Sequence, residues 1–179
     1  MKRTAAFLML FVAFIVCVAS FGCIALSGKN DYSQAKDALI FGTKDVFGSD
    51  VSSEKLFEQS KITMINFWAS WCGPCAGELA ELQTLHEQFK EYGCAVVGIL
   101  DDGDTEQGLA DGKRLMELNG VDYTVLISNS EIRKTIQLQY YPTTVFVNSR
   151  GEIIGEPIIG ARVDEYLPAL KALLNEAEG

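Results

Sequence analysis

Apolar and polar positions change their spacing several times along this chain, and each change marks an element. Behind Lys2 and Arg3, residues 4–28 carry no charge and are almost wholly apolar through "AAFLMLFVAFIVCVA"; the polar "SGKNDYSQAKDA" follows, with no apolar period. From Leu39, "LIFGTKDVFGSDVSSEKLFEQ" offers short apolar pieces around Gly42 and a Gly48, Ser49, Asp50 turn. A hairpin is expected there, then one helical turn capped by Ser52 or Ser53 ahead of Leu56 and Phe57. "ITMINFWA", Ile62 to Ala69, is a short, nearly continuous apolar run that suits a central strand buried on both faces. Leu79, Leu82, His86 and Phe89 then recur at steps of three and four, the stripe of an amphipathic helix that Gly93 stops.

"CAVVGIL" reads as a second buried strand, followed by an Asp101, Asp102, Gly103, Asp104 loop. A helix to Asn119 comes next, with Leu115, Met116 and Leu118 as its apolar contacts, and then a strand in "YTVLI". A short helix over Ile132 to Leu138 leads into "YYPTTVFVNSRGEIIGEPIIG", two strands joined by an Asn148 to Gly151 turn. "VDEYLPALKALLNEA" is the closing helix. Strands alternating with helices and ending in a hairpin imply an α/β fold with a central mixed sheet covered on both faces. The expected organisation is a targeting segment at 1–26, a polar spacer at 27–38 and one domain at 39–179.

The charge sharpens this division. The whole chain carries −9 at neutral pH with a pI near 4.6, which argues against nucleic-acid binding through a basic surface. The first 22 residues hold two of the positive charges, so the remainder carries −9 − 2 = −11. A basic start and an apolar middle read as a signal peptide, and the uncharged run is also long enough to span a bilayer. Cys23, in "VASFGC", resembles the cleavage box of bacterial lipoproteins, although Ser20 stands where those boxes usually carry an aliphatic residue. Lipidation at Cys23, ordinary cleavage and an uncleaved anchor therefore stay open. Each puts the domain outside the cytoplasm, attached to or released from the membrane through the N-terminal segment. Cys17 reads as a small hydrophobe of the apolar run.

The chemistry lies in "NFWASWCGPCAGELAEL", Asn66 to Leu82, where two cysteines follow a strand and open a helix. Unpaired N–H groups and the helix dipole favour a thiolate on Cys72, whose pKa is expected below the free-thiol value of about 8.5. Cys72 is thus the candidate nucleophile. Cys75, one turn inside the helix, would attack a mixed disulfide on Cys72 and release the substrate as a dithiol. Gly73 and Pro74 permit the tight start, because a first-turn N–H has no helical partner to lose. A static disulfide and a zinc half-site are the alternatives. Zinc would need two further ligands, and only Cys94 and His86 remain, at no recognised spacing.

"FWASWCGPC" followed by "YYPTT" resembles the thioredoxin superfamily, and "INFWASWCGPCAGEL" with "PTTVFVNSRGEI" is similar to its membrane-anchored TlpA and ResA branch. The similarity covers about residues 39–176. It implies the thioredoxin fold with an N-terminal β-hairpin extension, and thiol–disulfide exchange with no cofactor beyond the redox-active disulfide Cys72–Cys75. It also implies that Trp71 lies beside the cysteines, and that Pro142 is a cis-proline facing them, so that Tyr141, Pro142 and Thr143 meet an extended substrate. Asn66 stands where cytosolic thioredoxins keep a buried Asp, and a neutral amide cannot take the proton that Cys75 must lose. Glu78 matches an acid of the ResA-like branch and is the candidate substitute; a solvated helix glutamate is the alternative. Ala80 replaces a helix-kinking proline, so this helix is expected to run straighter.

The resemblance further implies an extracytoplasmic reductase of exported proteins, of the cytochrome c maturation or repair-enzyme type, supplied by a transmembrane electron donor. The Gly-Pro between the cysteines matches reducing thioredoxin, at about −270 mV, rather than DsbA, at about −120 mV. A disulfide-donating oxidase and a non-catalytic binding module are the rival readings. No flavin, nicotinamide or haem motif accompanies the site: Ala76 after Cys75 breaks CxxCH, and no GxGxxG follows a strand. Cys94 reads as an inert core thiol, His86 as a core-edge histidine, and Asp101, Asp102 and Asp104 as a solvated turn rather than a metal loop.

Overall fold

A computed structural model describes residues 38–178. The expected targeting segment, Cys17, Cys23 and all but the last residue of the spacer lie outside the described residues. Five strands form one sheet in the order β5-β4-β3-β6-β7. Strand β3 (Ile62–Trp68) is central, parallel to β4 (Ala95–Leu100) and antiparallel to β6 (Thr143–Asn148). Strand β5 (Val125–Ile127) extends the sheet parallel to β4, and β7 (Ile153–Ile159) extends it antiparallel to β6. A two-stranded hairpin, β1 (Gly42–Lys44) and β2 (Asp50–Ser52), precedes them. This is the thioredoxin-like α/β fold with its N-terminal hairpin, as the sequence resemblance implied.

Every residue of β3 is buried, as its nearly continuous apolar run implies. Its side chains alternate between two cores. Ile62, Met64 and Trp68 join Leu79, Leu82, Phe89, Phe146 and Tyr166 on one side, beneath helices α2 (Gly73–Glu91) and α5 (Val163–Glu178). Ile65 and Phe67 join Phe41, Phe57, Val97, Val145 and Ile132 on the other. Asn66 shares the period of Met64 and Trp68 and so belongs to the face covered by α2. Thr144, its register partner on β6, alternates with Val145 and Val147 in the same sense. Two buried polar residues are thereby aimed at one helix.

Helix α1 (Ser53–Phe57) departs from the expected capping. Ser52 occupies the N-cap without a side-chain bond, and Ser53 Oγ instead accepts from Phe41 N–H at 2.9 Å, tying the helix to the hairpin. Helix α3 (Glu106–Leu118) is capped by Thr105 and buries Met116, but Leu118 is 72% exposed rather than a core contact. A helix buries one stripe, and Leu118 lies two positions past Met116, off that stripe. Helix α4 (Ser130–Thr135) begins earlier than expected because Asn129 Oδ1 caps both Glu131 and Ile132 N–H, and it ends where Ile136 turns extended. Strand β5 omits Tyr123 and Thr124 of the expected run. Helix α2 runs uninterrupted through Ala80 to Glu91, and Gly93, at φ +70° just past the Tyr92 cap, turns the chain away. Among the described residues no helix is long and apolar enough to cross a membrane.

Candidate active site

Strand β3 delivers the chain into the turn that bears the cysteines. Cys72 N–H bonds to Ala69 C=O at 3.0 Å, and Cys72 then becomes the N-cap of α2, with Gly73 and Pro74 in its first turn. Cys72 and Cys75 are joined in a disulfide with Cα atoms 5.3 Å apart. Cys72 Sγ accepts from Cys75 N–H at 3.3 Å, so the helix end directs a donor at that sulfur. Cys75 is wholly enclosed, while Cys72 retains slight exposure, which makes Cys72 the more accessible residue of the pair. Trp71 beside them is 69% exposed.

The Tyr141–Pro142 peptide is cis. Its loop meets the cysteine turn through Trp71 and Tyr141, whose rings pack edge-to-face at 5.6 Å. Thr143 is buried at the start of β6, its hydroxyl donating to Tyr140 C=O at 2.8 Å, and Gly160 N–H donates to Pro142 C=O at 2.8 Å. Tyr141 and Pro142 thus lie in a braced loop that touches the cysteine turn through Trp71, and Thr143 opens β6 behind them.

Glu78 is not a solvated helix residue, since it is 2% exposed. Asn66 Nδ2 donates to its Oε1 at 2.8 Å and Tyr166 O–H donates to its Oε2 at 3.0 Å. Burial dominates and raises its pKa from 4.5 to about 7, against the lowering effect of the Asn66 and Tyr166 bonds, with Glu81 adding a small upward push. Asn66 Nδ2 also donates to Thr144 Oγ1 at 3.1 Å, while its Oδ1 is buried without a protein partner. A carboxyl that changes charge near neutrality therefore sits one turn beyond Cys75.

The three aspartates after β4 are not a freely solvated turn. Asp102 accepts from Ser70 N–H at 3.0 Å and from Ser70 O–H at 2.5 Å. Asp101 accepts from Tyr141 O–H at 2.7 Å and from Arg133 Nε at 3.1 Å, and Arg133 also donates to Asp104 at 2.8 Å and to Asp101 C=O. Burial first, then Asp101, pushes the Tyr141 phenol far above its ordinary value. Tyr166, Thr144, Ser70 and Arg133 were not singled out in the sequence. Tyr166 stands 88 residues from Glu78 within an ordinary apolar stripe, so no local signal marks it.

Cys94 is buried, and burial raises its thiol pKa, consistent with an inert core position. His86 is half-buried against Tyr123 at 5.8 Å, and burial followed by Lys90 lowers its pKa. Its ring comes within ligand distance of Glu87 and Asp122, but those carboxylates already accept from Lys90 at 2.9 Å and from Gln83 at 2.6 Å.

A thioredoxin-like fold whose disulfide caps the helix after its central strand makes this chain a thioredoxin-like thiol-disulfide oxidoreductase. The chain belongs to the AhpC/TSA family, which it matches over residues 34–155. It is 34% identical over 116 residues to the thiol-disulfide oxidoreductase ResA of Oceanobacillus iheyensis, a match spanning 61% of this chain and 57% of that relative. Among solved structures it resembles a thiol:disulfide interchange protein of Chlorobium tepidum TLS, with a TM-score of 0.59 and 26% identity over 70% of this chain and 86% of that one. The fold is also that of the pneumococcal exposed lipoprotein thioredoxin Etrx1 of Streptococcus pneumoniae, at a TM-score of 0.59 and 24% identity over 74% and 98% of the two chains.

Proposed function

We propose that this protein reduces disulfides in exported client proteins, working outside the cytoplasm and held to the membrane by its N-terminal segment. The observation that carries the reading is the buried Glu78 carboxyl, held by Asn66 one turn beyond Cys75, behind a Cys-Gly-Pro-Cys disulfide at a helix start. Cys72 thiolate attacks one sulfur of the client disulfide, forming a mixed disulfide and expelling the other client sulfur as thiolate. Cys75 then gives its proton to the Glu78 carboxylate and attacks Cys72 Sγ, breaking the mixed disulfide and releasing the second client thiolate. The client gains two electrons and the Cys72/Cys75 pair loses two. A dithiol-presenting electron donor spanning the membrane returns them.

The basic, then apolar, N-terminus supports an exported location, as does the likeness to an exposed lipoprotein thioredoxin. Cys23 is the residue that lipidation would modify. Trp71 supplies an exposed aromatic surface for the client, and Tyr141, ahead of the cis Pro142 and the start of β6 at Thr143, supplies the backbone it pairs with. Equilibration of the Cys72/Cys75 couple with glutathione tests the direction of flow. A potential near thioredoxin's about −270 mV is expected, and one above about −180 mV would replace the reductase with a disulfide donor. Cys75→Ser should hold clients as mixed disulfides on Cys72; recovery of none from an exported fraction would overturn the client reading.

A further inference from the structure

Two neighbouring carboxylates reach in opposite directions at the end of β4. Asp102 takes both the N–H and the O–H of Ser70, two residues before the nucleophile. Asp101 takes the hydroxyl of Tyr141, the residue that precedes the cis-proline. Trp71 and Tyr141 then touch edge-to-face, so Ser70, Trp71, Tyr141, Asp101 and Asp102 form a closed circuit around the cysteine turn. The pair is itself fixed from behind. Asp101 N–H bonds to Trp68 C=O at 2.8 Å, Arg133 straddles Asp101 and Asp104, and α3 approaches so closely that a Cβ on Gly108 would fall 2.1 Å from Asp102 C=O. Carboxylates that each accept two bonds are short, directional ties, and hydrogen bonds to a charged acceptor are the stronger kind.

We propose that Asp101 and Asp102 are positioning residues that clamp the cysteine turn to the cis-proline loop, setting the register between Cys72 and a client strand on Tyr141–Pro142. The inference rests on the disulfide-reductase reading and names the residues that make it selective for proteins. A polypeptide bound along the Tyr141 backbone, ahead of the cis-proline, must present its disulfide at a fixed distance from Cys72, whereas a small disulfide reaches Cys72 without using that backbone. Loss of register therefore penalises the first and spares the second, since misplacement of about 1 Å suffices for large rate losses.

The test compares pre-reduced full-length protein with insulin and with hydroxyethyl disulfide, by second-order rate constant, for wild type, Asp101→Ala, Asp102→Ala, the double variant and Asp101→Asn. Each alanine variant is expected to lose roughly tenfold on insulin and less than about twofold on hydroxyethyl disulfide. The double variant should lose no more than the worse single, because opening a closed circuit at either point releases it. Asp101→Asn, which keeps an acceptor for Tyr141, should recover most of the insulin rate, and the glutathione-linked potential should not move in any variant. Equal losses on both substrates, no loss on either, multiplicative losses in the double variant, or a displaced potential would overturn the clamp. A wild-type protein inert to both disulfides would instead overturn the reductase reading and the clamp with it.

Discussion

Replacing Glu78 with glutamine should change how stability depends on pH, and the structure gives both the direction and the size. Glu78 is enclosed, and its pKa rises from 4.5 to about 7 because burial penalises the charged form more than Asn66 and Tyr166 relieve it. Ionising it is therefore about 3 kcal/mol costlier in the fold than in the unfolded chain. Between pH 4.5 and about 7 the folded protein binds the proton more tightly than the unfolded chain, so its stability falls as pH rises through that window. Below the window the carboxyl is neutral in both states, and above it the full penalty is present. Glutamine keeps the shape and an acceptor for Tyr166 but cannot ionise. Urea unfolding of the oxidised protein and Glu78→Gln at pH 5, 6, 7 and 8.5 measures the difference. Wild type should lose about 2.5 kcal/mol relative to the variant over that range, the contributions of all other carboxylates cancelling in the comparison. Parallel stability profiles would refute the raised pKa, and with it the proton-accepting role.

Tyr166→Phe removes a donor that favours the ionised carboxylate, so the stability transition assigned to Glu78 should move to higher pH; an unmoved or lowered midpoint would contradict the bond. Gly98→Ala would bring a methyl to 3.1 Å from both Trp68 Nε1 and Val125 Cγ2, and should destabilise the fold by about 1–3 kcal/mol in denaturant without changing the disulfide potential. Cys72→Ser should abolish insulin reduction, and retained turnover would displace Cys72 as the nucleophile.

What the sequence revealed of the site was local to one motif. Cys72, Cys75 and Glu78 lie within seven residues, and Asn66 stands inside the strand run just before them, six positions ahead of Cys72. Helical and strand periods likewise marked β3, α2 and α5, because burial on both faces or along one stripe leaves a regular imprint. Leu118 escaped that logic because a nearby apolar residue off the stripe looks the same in a list of letters. Asp101, Asp102, Arg133 and Tyr166 were invisible for a different reason: their partners lie 32 to 88 residues away, and an aspartate on a loop reads as solvated until its donor is known. The resemblance supplied Tyr141 and Pro142 as a loop facing the cysteines; the ties that hold that loop emerged only from tertiary contact.

The hairpin that precedes the sheet also bears on what the sheet can attract. An open strand edge is a template for any extended chain. Here β5 does not present that edge freely: Val46 N–H donates to Val125 C=O at 3.0 Å, Asp45 bridges Leu126, and Thr43 O–H donates to Ile127 C=O at 2.5 Å. At the far side β7 carries Pro157, which has no N–H to offer, and a register shift interrupts its pairing with β6. With one border occupied by the hairpin and the other carrying a residue that cannot donate, the sheet is a poor template for adding a further strand.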